Sequence, residues 1–195
     1  EAARKLGYTV SQTMMVAQHL YEHGQITYMR TDSVNLSSLC VNAAKDEISK
    51  LYGEEYSKVR KYHTSSKGAQ EAHEAIRPTY MDKQTIEGTA QERKLYELIW
   101  KRTIASQMAD AVMERTTVNI SISSTDEQFI AQGEVVKFDG FIKVYRESND
   151  DDDQQEEESH LLPPLKKGME LTRREIQARE RFSQAPQRYT EASLV

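Results

Sequence analysis

Apolar residues recur through the first half of this chain at spacings of three and four. Met14, Ala17, Leu20 and Tyr21 make one stripe, which predicts a helix capped by Ser11 and running to His23. Gly24 stands where a left-handed residue closes such a helix. Ile26 to Met29 reads as a short strand or extended turn. A second helix is predicted from Ser37 or Ser38 to Tyr52, with Cys40, Ala44, Glu47 or Ile48, and Leu51 on its inner side and Gly53 as its stop. Residues 53–69 are polar and read as a loop. A long helix spans Ala90 to Met108, where Leu95, Leu98, Ile99, Trp100 and Ile104 form a broad apolar face.

The period then changes from near four to two. Thr116, Val118, Ile120 and Ile122 alternate with polar residues, and so do Phe129, Ala131, Gly133 and Val135, which predicts two strands. Val136 and Phe138 fall out of phase and mark a bulge. Phe141 to Tyr145 is a predicted third strand and Glu170 to Arg179 a fourth. Pro186 interrupts the chain, and Thr190 stands at the cap of a further helix. The predicted fold class is therefore α+β. A mainly helical domain covers residues 1–110, a β-rich segment 111–187, and the start of another helical domain 188–195. The switch in period falls between Ala109 and Met113, and no internal repeat is visible.

Composition narrows the function classes. No run of 18 apolar residues exists, so no membrane-spanning helix is predicted. The opening Glu1-Ala2-Ala3-Arg4 carries no recognisable export signal. The single cysteine, Cys40, excludes an internal disulfide and a multi-cysteine zinc site. Both features point to a reducing cytoplasm. The net charge of −5 argues at first against a polyanionic partner. Residues 150–158 carry seven acids and no base, however, and read as part of a solvated acidic loop over 147–160. With those seven set aside, 24 acids face 26 bases, a balance that no longer opposes nucleic acid.

The candidate chemistry lies in Gly24-Gln25-Ile26-Thr27-Tyr28-Met29-Arg30-Thr31-Asp32-Ser33. A tyrosine oxygen can attack a phosphodiester, and a guanidinium two residues on can meet the charge that builds on the phosphoryl oxygens. On a strand Tyr28 and Arg30 share a face. A packed tyrosine beside an Arg30–Asp32 ion pair is the structural alternative. Glu71 and Glu74 have no partners at metal-ligand spacing, and His73-Glu74 is not followed by the second histidine of a zinc helix. Arg60, Lys61, Tyr62 and Lys67 form a small basic and aromatic cluster, read as a solvated loop with single-stranded DNA as the alternative contact.

That ten-residue string resembles the active-site segment of type IA DNA topoisomerases. Gln70-Glu71-Ala72-His73-Glu74-Ala75-Ile76-Arg77-Pro78-Thr79 resembles the family's second motif. Further likeness runs through Leu95–Trp100, Phe138–Phe141 and Arg188–Val195, so it covers nearly the whole chain in order. Met29 is the residue usual in the bacterial topoisomerase I branch, whereas topoisomerase III usually has proline there.

The resemblance implies a helical unit of helix-turn-helix type carrying Tyr28, joined to a β gate. It implies Tyr28 as the nucleophile that becomes linked to a 5′ phosphate, and Arg30 as its charge-stabilising and phosphate-binding partner. It implies His73 at DNA phosphate, Arg77 either at phosphate or bracing the loop, and Thr27 and Asp32 as orienting residues. The substrates implied are single-stranded and negatively supercoiled DNA, and the working form is a monomer in the bacterial cytoplasm, associated with the nucleoid. Magnesium is the implied cofactor, held by a toprim domain that precedes this segment in the family. Nothing here resembles that domain, so this chain alone is expected neither to cleave nor to relax DNA. A topoisomerase III or reverse gyrase piece, or a winged-helix DNA-binding module with a structural Tyr28, are the competing readings.

Overall fold

Three side-chain caps decide where the main helices begin. In the computed structural model, which describes residues 1–62, 73–146, 162, 163, 165–180, 182, 183, 185, 188–190, 192 and 194, these caps are Thr9, Ser37 and Thr89. A short helix α1 (Ala2–Leu6) precedes α2 (Val10–Glu22), followed by α3 (Ser38–Tyr52) and α4 (Ala90–Ser106). The α2 cap is Thr9 and not Ser11, because the Thr9 hydroxyl accepts the Gln12 amide at 3.1 Å and leaves Ser11 inside the first turn. At α4 the Thr89 hydroxyl accepts the Glu92 amide at 3.2 Å while Glu92 accepts the Thr89 amide at 2.7 Å, a reciprocal capping box.

The three long helices meet around one core. Val16, Ala17 and Leu20 of α2, Cys40, Ala44 and Ile48 of α3, and Leu95, Tyr96, Trp100 and Ile104 of α4 are buried together. Removing side chains of this size from water stabilises by about 1.5–3 kcal/mol each. Met14 and Tyr21, expected in the α2 stripe, are instead 37% and 42% exposed, because the buried face centres on Val16 and Leu20. Leu51 also lies at the surface. The connection into α4 is tied down by hydrogen bonds to its aromatic residues. Trp100 Nε1 donates to the Met81 carbonyl at 2.8 Å, and the Tyr96 hydroxyl donates to the Lys83 carbonyl at 2.8 Å.

Beyond α4 the chain forms an antiparallel hairpin of β1 (Val112–Ser121) and β2 (Gln128–Phe138). Val112 pairs with Phe138 but Met113 with Val136, so Lys137 is the extra residue of the expected bulge. Most residues of both strands are exposed. The predicted third strand is absent: Gly140–Lys143 is a single 3-10 turn. Phe141 and Val144, three residues apart, both pack on the helical core, which an alternating strand could not do, while Tyr145 is buried beside Arg102 and Glu1. Glu170 to Arg179 is no strand either. Its residues are exposed along the whole run, so it has no buried face and no edge to pair with. The acidic loop, Glu71, His63, Lys67, His160 and Pro186 lie outside the described residues. So does most of the segment expected to start a helix after Thr190.

The root of the hairpin is clamped to the helical unit. The Ala109 amide donates to the Tyr56 carbonyl at 2.7 Å, and the Phe141 amide donates to the Ala109 carbonyl at 2.9 Å. The Tyr56 hydroxyl donates to Asp139 at 2.7 Å and accepts from Lys143 at 3.1 Å. Asp110, two residues before β1, bonds Lys58 at 2.8 Å and also pairs with Arg60. Gly140 makes the close approach possible. Its φ is +48°, and a Cβ there would stand 2.5 Å from the carbonyl oxygens of Ala109 and Asp110. Gly140→Ala should therefore destabilise the chain by about 2 kcal/mol or more in urea unfolding, since neither the backbone angle nor the contact tolerates a methyl group.

Candidate active site

A backbone seam builds the site. The end of α2 closes with Gly24 at φ +66°, its amide bonding the Tyr21 carbonyl at 2.8 Å while the Gln25 amide bonds the Leu20 carbonyl at 2.9 Å. The chain leaves this turn extended, and Ile26 forms an antiparallel bridge with Pro78. The Thr27 amide donates to the Arg77 carbonyl at 2.9 Å, and the Thr79 amide donates to the Gln25 carbonyl at 2.9 Å. The Thr27 hydroxyl donates to the Ala75 carbonyl at 2.7 Å and accepts the Arg77 amide at 2.9 Å. The two sequence motifs, about fifty residues apart, are thus stitched together at Thr27.

The residues that follow alternate across the chain. Met29 is buried in the core, while Tyr28 and Arg30 on either side of it are exposed. The stretch is not a strand, since only Ile26 forms a bridge and the residues after it bend, yet Tyr28 and Arg30 are both exposed on either side of buried Met29. Among the described residues, the Tyr28 hydroxyl and the Arg30 guanidinium make no hydrogen bond or ion pair, and the alternative Arg30–Asp32 pair is not formed. Asp32 lines a cavity of about 740 Å³ between its own loop and α4, and bonds neither Tyr28 nor Arg30.

His73 comes to the same place from the second motif. Its ring stands edge-on to Tyr28, with centroids 6.4 Å apart and planes at 83°. Tyr21 approaches Tyr28 as well, at 5.3 Å and 66°. The sequence pattern put Tyr21 on the buried stripe of α2, and nothing in its spacing distinguished a core residue from a neighbour of Tyr28.

Arg77 is engaged internally. Its guanidinium meets Glu74 through two bonds, Nε to Oε1 at 3.2 Å and Nη2 to Oε2 at 2.6 Å, and also donates to the Pro78 carbonyl at 2.8 Å. Its side chain is only 12% exposed. This is the bracing geometry of the two roles weighed for Arg77. Glu74 also accepts the Ser37 amide at 2.7 Å, and the Ala75 amide donates to the Asn35 carbonyl at 2.8 Å. The brace therefore fixes the start of α3 and the loop after Arg30 to the same seam. Burial pushes the Glu74 pKa upward, but the hydrogen bonds from Arg77 and Ser37 outweigh it and leave it lowered.

The remaining predicted features are peripheral to this site. Arg60 pairs with Asp110 and Tyr62 donates to the Ser106 carbonyl at 3.0 Å, so that cluster belongs to the hairpin root. His19 pairs with Glu92, and the His23 ring stands against the His19 carbonyl. Among the described residues no three His, Cys, Asp or Glu side chains converge where they could hold a metal ion.

Comparison with known proteins places the chain in a family. A family model described as DNA topoisomerase matches residues 1–195. The chain is 48% identical over 201 residues to DNA topoisomerase 1 of Synechocystis sp., covering 100% of this chain and 22% of that protein. It is 46% identical over 200 residues to DNA topoisomerase 1 of Zymomonas mobilis, again covering 100% of this chain but 16% of the relative. The structure of full-length topoisomerase I from Thermotoga maritima superposes with a TM-score of 0.65 at 38% identity, over 76% of this chain and 26% of that one. The chain belongs to the DNA topoisomerase family, on its bacterial, type IA side. It spans about a fifth of the length of these curated relatives.

The Glu74 brace makes a stability prediction with a definite pH sign. Because its folded pKa is lowered, its contribution is complete above the ordinary value of 4.5 and is lost as pH falls through the folded value. Glu74→Gln should cost about 1–2 kcal/mol in urea unfolding at pH 7. The gap to the parent sequence should narrow steadily below pH 4.5.

Proposed function

We propose that this chain is the nucleophile-bearing part of a type IA topoisomerase that relaxes negatively supercoiled DNA through a transient single-strand break. The observation that carries the reading is an exposed Tyr28 and an exposed Arg30, neither with a side-chain hydrogen bond among the described residues, on a segment that Thr27 ties to the second motif.

The chemistry follows from those groups. A single-stranded segment places a phosphodiester at the Tyr28 hydroxyl. A free tyrosine has a pKa of about 10, so the proton leaves as the oxygen attacks. The new bond joins Tyr28 Oη to phosphorus, and the bond from phosphorus to the 3′ oxygen breaks. The 3′ oxygen departs and takes up a proton. The product is a 5′-phosphotyrosine with a free 3′ hydroxyl. The ester conserves the energy of the bond it replaces, so religation is the same step reversed and needs no added energy source. Arg30 presents two parallel donors to the non-bridging oxygens, where charge concentrates in the transition state. His73 supplies a further donor to phosphate beside Tyr28. Thr27 fixes the approach of the nucleophile, and the Glu74–Arg77 brace keeps that segment in place. Strand passage follows as the tyrosine unit swings on the β gate and the second strand crosses.

Magnesium does not fit the described residues of this chain, and no step above runs through it. We place its ligands in the toprim unit of the longer parent protein, which we take to act as a monomer in the bacterial cytoplasm, on the nucleoid. No described helix is long and apolar enough to cross a membrane. The domain limits that go with this reading are 1–110 for the tyrosine unit, 111–187 for the gate and 188–195 for the next unit.

The test uses a single-stranded oligonucleotide labelled 3′ of the break, magnesium, the full-length parent protein and its Tyr28→Phe variant, with the isolated 195-residue chain as a third arm. A denaturant-resistant labelled adduct should form with the parent protein only. Adduct in the Tyr28→Phe protein would remove Tyr28 as the nucleophile. Absence of adduct from both full-length proteins, despite intact DNA binding, would favour the winged-helix binding module.

A further inference from the structure

Tyr28 presents a problem that its chemistry alone does not solve. The residue is 41% exposed, and among the described residues its hydroxyl has no hydrogen-bond partner. A side chain so placed has open rotamers, and each wrong rotamer removes the nucleophile from the line of attack. The seam fixes the backbone of Thr27 but not the torsions of the next side chain. What touches the Tyr28 ring is a pair of aromatic neighbours, Tyr21 and His73.

The two neighbours differ in what holds them. His73 stands on the loop of the second motif and is already committed, in the reading above, to phosphate. Tyr21 stands in the last turn of α2, and its carbonyl accepts the Gly24 amide that closes the helix. Its position is therefore set by the helix end itself. Its ring is the closer of the two, 5.3 Å from Tyr28 at 66°, the tilted arrangement in which one ring's positive edge meets the other's negative face. Tyr21 is also 42% exposed, so its ring contributes little to the core. Among the described residues the aromatic contact of this exposed ring is with Tyr28.

We infer that Tyr21 is a positioning residue, whose ring selects the Tyr28 rotamer that can attack the phosphodiester. This rests on Tyr28 being the nucleophile. The glycine turn serves the same end, because Gly24 brings the chain back so that Tyr28, seven residues after Tyr21, lies against the end of α2. The ring of Tyr21 carries the role and its hydroxyl does not. Tyr28 touches the scissile phosphate, whereas Tyr21 acts through Tyr28.

The experiment measures single-turnover adduct formation at saturating single-stranded oligonucleotide, in the full-length parent protein with magnesium. It compares Tyr21→Ala, Tyr21→Phe and Tyr28→Phe. The lost ring contact predicts a rate for Tyr21→Ala lower by about twofold to tenfold. Oligonucleotide affinity should be unchanged, and the thermal midpoint should lie within about 3 °C of the parent protein's. Tyr21→Phe, which keeps the ring, should restore the rate. A Tyr21→Ala rate equal to that of the parent protein would overturn the inference. So would a Tyr21→Phe protein as slow as Tyr21→Ala, since the hydroxyl would then be the acting group. A loss confined to oligonucleotide affinity would overturn it too, in favour of direct DNA contact. If Tyr28→Phe still forms adduct, it is the nucleophile assignment that fails, and the inference falls with it.

Discussion

The hydroxyl of Thr27 is the point on which the site depends. One oxygen donates to the Ala75 carbonyl and accepts from the Arg77 amide, while the Thr27 backbone amide reaches the Arg77 carbonyl. These bonds hold together two segments that are distant in sequence, and they do so immediately before Tyr28. A side chain that both donates and accepts is required at this position, and threonine supplies it on a residue whose branched Cβ also suits an extended backbone. Buried on the next inward position, Met29 anchors the same segment in the helical core. The outward positions, Tyr28 and Arg30, inherit their geometry from both constraints.

The second constraint is the rigidity of what surrounds the seam. Glu74 links Arg77 to the start of α3, so the loop after Arg30 cannot shift without breaking a charge-assisted pair. At the opposite side of the helical unit, Gly140 sits so close to Ala109 and Asp110 that the hairpin root is locked to the same body. Tyr56, Asp139 and Lys143 add a connected set of hydrogen bonds across that joint. The helical unit and the base of the hairpin are therefore tied into one packed body. Any large swing must either open this joint as a whole or bend the hairpin farther along, where most residues are exposed.

Much of this was legible from residue order, and the failures have physical causes. The helices at 38–52 and 90–106 announced themselves by period, the first also by its flanking serine and glycine, and the change of period marked the hairpin and its bulge near Phe138. Ser11 and Thr9 are both competent caps two residues apart, and only backbone geometry chooses Thr9. Phe141 to Tyr145 is a short apolar run, which period alone cannot assign, and Gly140 turns it into a 3-10 helix. Tyr28 and Arg30 were visible as a pair because the motif sits on one short segment. The Glu74–Arg77 brace and the approach of Tyr21 depend on which segments meet in space, and local pattern carries no information on that.

The claim that the Thr27 seam presents the nucleophile is tested most directly by the rate of covalent adduct formation in a Thr27→Val variant of the full-length parent protein. Valine keeps the shape and the branched Cβ but leaves the Ala75 carbonyl and the Arg77 amide without their shared partner. The account predicts a rate lower by about tenfold to a hundredfold, with single-stranded DNA affinity preserved. A Thr27→Val protein that forms adduct at the unmodified rate would contradict it, and would leave Tyr28 positioned by something other than the seam.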